Sequence, residues 1–189
     1  MEHRDRAIVL KKSKFGESDL IVTLFLEKGG KRNAIAKGAL RSRKRFGPLL
    51  DVGTLATVRF QERPRSDLLF LLGAEEGDVF SAVRSQTNWR KSWNTIVAGE
   101  YALELAFHFL PEQKEEGEKF GLLLDFLANL EQNSLCNELL RFEYEWLVLA
   151  GWGPQEGDLK MDQPFFDQQW RQLLGKNLRS RKMLEEIFR

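Results

Sequence analysis

The chain has 189 residues, of which 42% are hydrophobic and 30% charged, and its formal net charge is +1. That composition excludes a disordered chain and suits a globular protein with a real core. No apolar run reaches the ~18 residues of a membrane helix, and "MEHRDRAIVLKKSKF" lacks the long apolar segment and cleavage site of a signal peptide, so a cytoplasmic protein is expected.

The first part of the chain reads as strands. "AIVLKK" is a short apolar run leaving into lysines. "SDLIVTLFLEKGG" is rich in β-branched and large apolar residues and ends at Gly29-Gly30, a hairpin turn leading into "KRNAIAKGAL". "TLATVRFQERP" alternates, with Val58 and Phe60 on one face and Thr57, Arg59 and Gln61 on the other, and "DLLFLLGAEEG" is a fifth run. Five short strands with long hairpins fit a small β-barrel or sandwich, and the five-stranded OB-fold is the barrel of this size best known for binding single strands.

After about residue 78 the period changes to that of helices. Ile96, Leu103, Phe107 and Leu110 share one face, closed by Pro111. Phe120, Leu123, Leu124, Leu127 and Leu130 form a second stripe. Leu135, Leu139, Phe142, Trp146 and Leu149 form a third, with Ser134 as its cap and Gly151 and Gly153-Pro154 at its end. "PFFDQQWRQLL" and "RSRKMLEEIFR" complete the chain. The expected fold class is α+β and multidomain: an N-terminal OB-fold barrel over 1–78, followed by an all-α domain over 79–189.

Charge is unevenly spread. Residues 1–66 hold 16 Lys/Arg and 7 Asp/Glu, whereas residues 67–189 hold 13 and 21. The basic half is densest in "AKGALRSRKRFGP", where Lys37, Arg41, Arg43, Lys44 and Arg45 stand around Gly38 and ahead of Gly47-Pro48. Glycine and proline mark this stretch as a loop, from which cations can follow a phosphate backbone. Lys11, Lys12, Lys14, Lys31 and Arg32 extend the surface if their strands turn them outward, and Phe15 and Phe46 are the nearby rings for base stacking. The plainer reading is a solvated basic loop. A weaker, second cluster joins Arg179, Arg181 and Lys182 with Trp170 as a candidate surface for an acidic, aromatic-ended peptide; its plainer reading is a set of cations complementing a helix end.

Catalytic constellations are missing from the sequence. No P-loop, dinucleotide fingerprint or nucleophile elbow is present. With one cysteine, Cys136, and two histidines, neither a disulfide nor a usual zinc site is expected. Cys136 is expected to pack as a small hydrophobe on a helix, His108 to sit at a core edge, and Glu100 and Glu104 to lie on a solvated helix face. Asp158, Asp162 and Asp167 lack the spacing of a calcium loop. Most of Trp89, Trp93, Trp146, Trp152 and Trp170 are expected in the core. A protein without enzymatic activity or cofactor is expected.

The stretch "RAIVLKKSKFGESDLIVTLFLEKGGKRNAIAKGALRSRKRFGPLLDVGT" resembles the N-terminal motif of the RecO family of bacterial recombination mediators. Gly16, Glu17, Ser18, Asp19, Thr23, Gly30, Ala36, Lys37, Gly38, Ala39, Arg43, Gly47 and Leu50 stand in the motif's places. "YALELAFHFLPE", "FGLLLDFLANLEQ" and "RFEYEWLVLAGWGP" resemble three further family motifs, in order. The resemblance implies an OB-fold and a helical domain that bind single- and double-stranded DNA and anneal complementary strands. It implies contacts with the single-strand-binding protein and RecR, a functional link to RecA loading, and a cytoplasmic, nucleoid-associated site of action. Many members carry a four-cysteine zinc module after the last motif; "QEGDLKMDQPFFDQQW" has no cysteine, so this chain resembles a zinc-less member. An RNA-binding OB-fold protein, or an interaction adaptor without a direct nucleic-acid role, are the alternative readings of the residues.

Overall fold

The computed structural model describes residues 1–42, 44–76, 92–130, 135–153 and 162–187. Five strands, β1 (Glu2–Phe15), β2 (Asp19–Leu26), β3 (Gly30–Ala36), β4 (Leu55–Arg63) and β5 (Ser66–Glu75), close into a barrel in the order β1-β2-β3-β5-β4. A 3-10 turn, Gly47–Leu50, lies between β3 and β4. The barrel closes because β1 is long enough to serve both sides. Its first half, Glu2–Ile8, pairs antiparallel with β4, and Ala7–Phe15 pairs with β2. A register shift between Val9 and Lys11 bends the strand where it changes partner. At that bend Val9 exchanges backbone bonds with the loop ahead of β4, donating to Thr54 and accepting from Gly53.

The alternation expected in β4 holds: Val58 and Phe60 enter the barrel core with Ala7, Val9, Leu20, Val22, Leu24, Leu26, Leu69 and Leu71. The β2–β3 connection forms at Glu27–Gly29, with Leu26 paired to Gly30. Asp5 supports it by accepting the Lys28 and Gly29 N–H groups, both at 3.1 Å. Gly30 sits at φ 66°, and a Cβ there would lie 1.9 Å from the Lys114 carbonyl oxygen. That oxygen belongs to a second segment of the same compact unit, Leu110–Phe120. The segment is fixed to the start of β3 by a hydrogen bond from the Gln113 N–H to the Lys31 carbonyl, 3.0 Å long. Phe120 meets Phe25 edge-on at 5.3 Å and lies beneath the Arg6 guanidinium, which is paired to Glu27.

The second compact unit is helical. Its elements are α1 (Trp93–Phe109), most of α2 (Gly117–Asn129), α3 (Leu135–Leu149), α4 (Gln163–Leu174) and α5 (Arg181–Ile187). The α3 stripe of Leu135, Leu139, Phe142 and Trp146 is buried. Gly151, at φ 79°, ends α3 in a Schellman arrangement: its N–H donates to Val148 O and the Trp152 N–H to Leu147 O. The Ser134 cap and the domain boundary near residue 78 fall outside the described residues. The α1 face differs from the expected stripe of Ile96, Leu103, Phe107 and Leu110: Leu103 and Leu110 are buried, whereas Ile96 and Phe107 are only half-buried. Val97, Ala98, Tyr101, Ala102, Leu105 and Ala106 are buried instead. Asp162 caps α4 by accepting the Phe165 N–H at 3.2 Å, and Gly175, in the left-handed region, closes it.

Candidate nucleic-acid interface

Two loops build one rim of the barrel. The β1–β2 turn spans residues 16–18, between Phe15 and its partner Asp19. The loop after β3 starts beside it because Ala36 pairs with Leu20. Asp19 Oδ1 accepts the Gly38 N–H at 2.8 Å, and the Leu40 N–H donates to Ser18 O at 3.0 Å. These bonds tie the basic loop to the turn. Inside the loop, Arg41 and Ser42 donate to the Gly38 carbonyl, and Arg45 reaches back to the Lys37 carbonyl (2.7 Å) and to Ser42 Oγ (3.1 Å). Gly38, at φ 66°, makes the reversal that starts this fold.

Lys11, Lys12, Lys14, Lys37, Arg41, Lys44 and Arg45 are all exposed on this rim and the adjoining end of β1. Three carboxylates stand among them: Asp51 lies 2.5 Å from Lys12, Glu17 3.7 Å from Arg41 and Asp19 3.8 Å from Lys37. The Gly38 N–H, and then the Lys37 ammonium, hold the Asp19 carboxyl below its ordinary range. Cations outnumber carboxylates here, and ion pairs this exposed are weak enough to exchange for phosphate.

Other expected contacts lie elsewhere. Arg43 is outside the described residues. Lys31 is only 9% exposed and its Nζ lies 3.4 Å from Glu112. Arg32 pairs with Glu62 at 3.2 Å. Both stand at the start of β3, roughly 17–20 Å along the strand from Lys37, and so do not extend the rim. Phe46 is no stacking platform: it is 2% exposed, packed in the barrel core, with Arg45 over its ring at 5.1 Å. A ring at this point fills the barrel end that the loop crosses.

In the helical unit, Trp170 and Arg181 are buried, so the second cluster leaves Arg179 and Lys182 at the surface. The buried pair serves a polar core centred on Glu143, which is fully buried on α3. Glu143 accepts from the Tyr101 hydroxyl, from Trp170 Nε1 at 3.0 Å and from Gln163 Nε2 at 3.1 Å. Arg181 lies 3.7 Å from Glu143, is bonded to Asp167 and covers the Tyr101 ring. Burial raises the Glu143 carboxyl to about 7 despite these partners. The signal for this group is in the sequence: Glu143 lies four residues after Leu139 and three before Trp146, on the apolar stripe.

Cys136 is on α3 but exposed, against expectation; it stands in the helix's first turn. Trp146 is buried as expected, whereas Trp93 and Trp152 are exposed. Glu104 is half-buried, not on a solvated face, and accepts the Arg179 and Ser180 N–H groups, each at 2.9 Å, which fixes the turn ahead of α5. His108 contacts Lys176 at its partly buried edge.

A closed five-stranded barrel in this strand order, followed by helices, is an OB-fold protein with a helical domain. The family model "Recombination protein O N terminal" matches residues 1–79, and "Recombination protein O C terminal" matches residues 90–157. The chain belongs to the RecO family. It is 35% identical over 153 residues to the DNA repair protein RecO of Syntrophus aciditrophicus, covering 80% of this chain and 57% of that protein. It is 37% identical over 149 residues to that of Anaeromyxobacter dehalogenans, covering 78% and 56%. It is 34% identical over 150 residues to that of Geobacter metallireducens, covering 79% and 58%. The chain thus spans little more than half the length of these relatives.

Proposed function

We propose that the protein is a mediator of DNA repair and homologous recombination that binds single- and double-stranded DNA on the barrel rim and anneals complementary strands. It helps load the recombinase RecA onto DNA coated with single-strand-binding protein, with that protein and RecR as partners, and acts in the cytoplasm at the nucleoid without catalysing a reaction. The observation that carries this reading is the joining of the 15–19 turn to the 37–46 loop, which gathers exposed cations on one rim. Family membership and the relatives' shared name, DNA repair protein RecO, support it.

Annealing needs no covalent chemistry. Two strands repel through their phosphates, and a cationic surface that holds both lowers that repulsion by displacing counterions. Contacts to phosphate carry little base information, so the surface serves strands of any sequence. The test is annealing of complementary oligonucleotides, bare or coated with single-strand-binding protein. Acceleration in both cases is expected. Annealing no faster than without the protein overturns the reading.

A further inference from the structure

We infer that Phe15 is a stacking platform for an unpaired nucleobase, and that it makes the barrel rim prefer single strands over duplex; this rests on the DNA-binding reading above. Phe15 is 51% exposed, the one exposed phenyl ring among the described barrel residues. Phe70 shows the usual fate of a ring on the barrel surface, covered by the Arg63 guanidinium at 4.2 Å. Phe15 has no such cover among the described residues; an exposed phenyl ring costs solvation, and a ligand that covers it recovers that cost.

Register sets what surrounds the ring. Phe15 is paired directly with Asp19, so their side chains share one face of the β1–β2 ribbon. Lys37 reaches Asp19 at 3.8 Å, which brings an ammonium to that face. Lys11 and Ser13 alternate with Phe15 and point to the same face, with Lys11 exposed. Gly16 follows at φ 61° with nothing within 4 Å of a Cβ there, so the backbone beyond the ring is open. A flat apolar ring lies between cations, with open space at the Gly16 side of the turn.

That arrangement fits a base with a phosphate on either side. In duplex each base face is covered by its neighbours, so the ring gains nothing. In a single strand the faces are free, and stacking on an aromatic side chain contributes about 1–3 kcal/mol per base. Stacking occupies a face and leaves the Watson–Crick edge open, so a base held on Phe15 still pairs with an incoming complement.

The test measures binding of the full chain to labelled oligothymidylate and to a blunt duplex of equal length. Phe15→Ala is expected to weaken single-strand binding about fivefold or more while leaving duplex binding unchanged. Phe15→Leu, which keeps bulk but has no π face, should follow alanine, and Phe15→Tyr should restore the wild-type preference. Equal losses on both substrates, no loss on either, or failure of tyrosine to restore the preference overturns the inference. Wild-type protein that binds neither substrate instead overturns the DNA-binding reading itself.

Discussion

Asp19 and Gly38 are joined by a 2.8 Å hydrogen bond from the glycine N–H to the carboxylate, so a negative side chain anchors the most basic loop of the chain. Charge and anchoring therefore pull in opposite directions. Simple Coulomb reasoning says that removing Asp19 helps DNA binding, because a carboxylate leaves the rim. The anchor says otherwise: a released loop must be ordered again when DNA binds, which costs affinity. Asp19→Ala is expected to weaken DNA binding roughly three- to tenfold, about 1 kcal/mol. Asp19→Asn keeps the acceptor for Gly38 and loses the charge, so it should bind as tightly as wild type or tighter. Titrations of both variants at one salt concentration decide this; an alanine variant that binds at full strength shows that the loop needs no anchor.

The separation of cations along β3 gives a second contrast. Lys37, Arg41, Lys44 and Arg45 are exposed on the rim, whereas Lys31 and Arg32 are paired with Glu112 and Glu62 at the other end of the strand. Replacing the four rim cations with alanine should weaken binding to any sequence. It should also flatten the log–log salt dependence on a single strand, by about 0.7 for each phosphate that is no longer neutralised. Replacing Lys31 and Arg32 should leave that slope unchanged, although stability should fall because their ion pairs are broken. Equal slopes in the two variants mean that the rim is not where phosphate lies.

How much of this is legible in the sequence follows from the range of each signal. The barrel core is readable because alternation is local: Val58 and Phe60 announce their shared face within three residues. The α3 stripe is readable for the same reason, and so is the loop character of 37–48, from its glycines and proline. Lys31 and Arg32 mislead because their partners, Glu112 and Glu62, are 81 and 30 positions away. Phe46 stands beside four cations and a glycine, and nothing nearby says that the barrel end needs a ring to fill it. Cys136 misleads because it shares the helical face of the buried Glu143 and Leu147, yet stands in the first turn of α3, where its side chain is exposed. Glu143 carries a readable signal, an acid on an apolar stripe, whose partners on α1, α4 and α5 only the tertiary fold supplies.

Gly30 and Gly16 both have positive φ, 66° and 61°, but differ in surroundings. A Cβ at Gly30 meets the Lys114 carbonyl oxygen at 1.9 Å, and one at Gly16 meets nothing. Gly16→Ala should therefore cost only the left-handed backbone penalty, about 1–2 kcal/mol. Gly30→Ala should cost clearly more and should displace Leu110–Phe120 from the start of β3. Thermal unfolding compares the two, and protease sensitivity within 110–120 reports the displacement. Equal melting temperatures would show that the segment moves aside freely.

Glu143 makes stability depend on pH in an unusual direction. Its carboxyl is raised to about 7 by burial, above the 4.5 of an ordinary glutamate. The folded state therefore holds a proton that the unfolded chain has already released in that window. Glu143 contributes most below about pH 4.5, and its contribution declines as pH rises toward 7, by up to ~1.4 kcal/mol per pH unit. Arg181 and the donors Tyr101, Trp170 and Gln163 moderate the decline by favouring the carboxylate, and Asp167 opposes them. Glu143→Gln keeps a side chain of the same size and removes the titration. Urea unfolding at about pH 5, 6 and 7 should show wild type losing stability relative to the glutamine variant as pH rises. Parallel curves would mean that Glu143 stays ionised in the fold, held by Arg181.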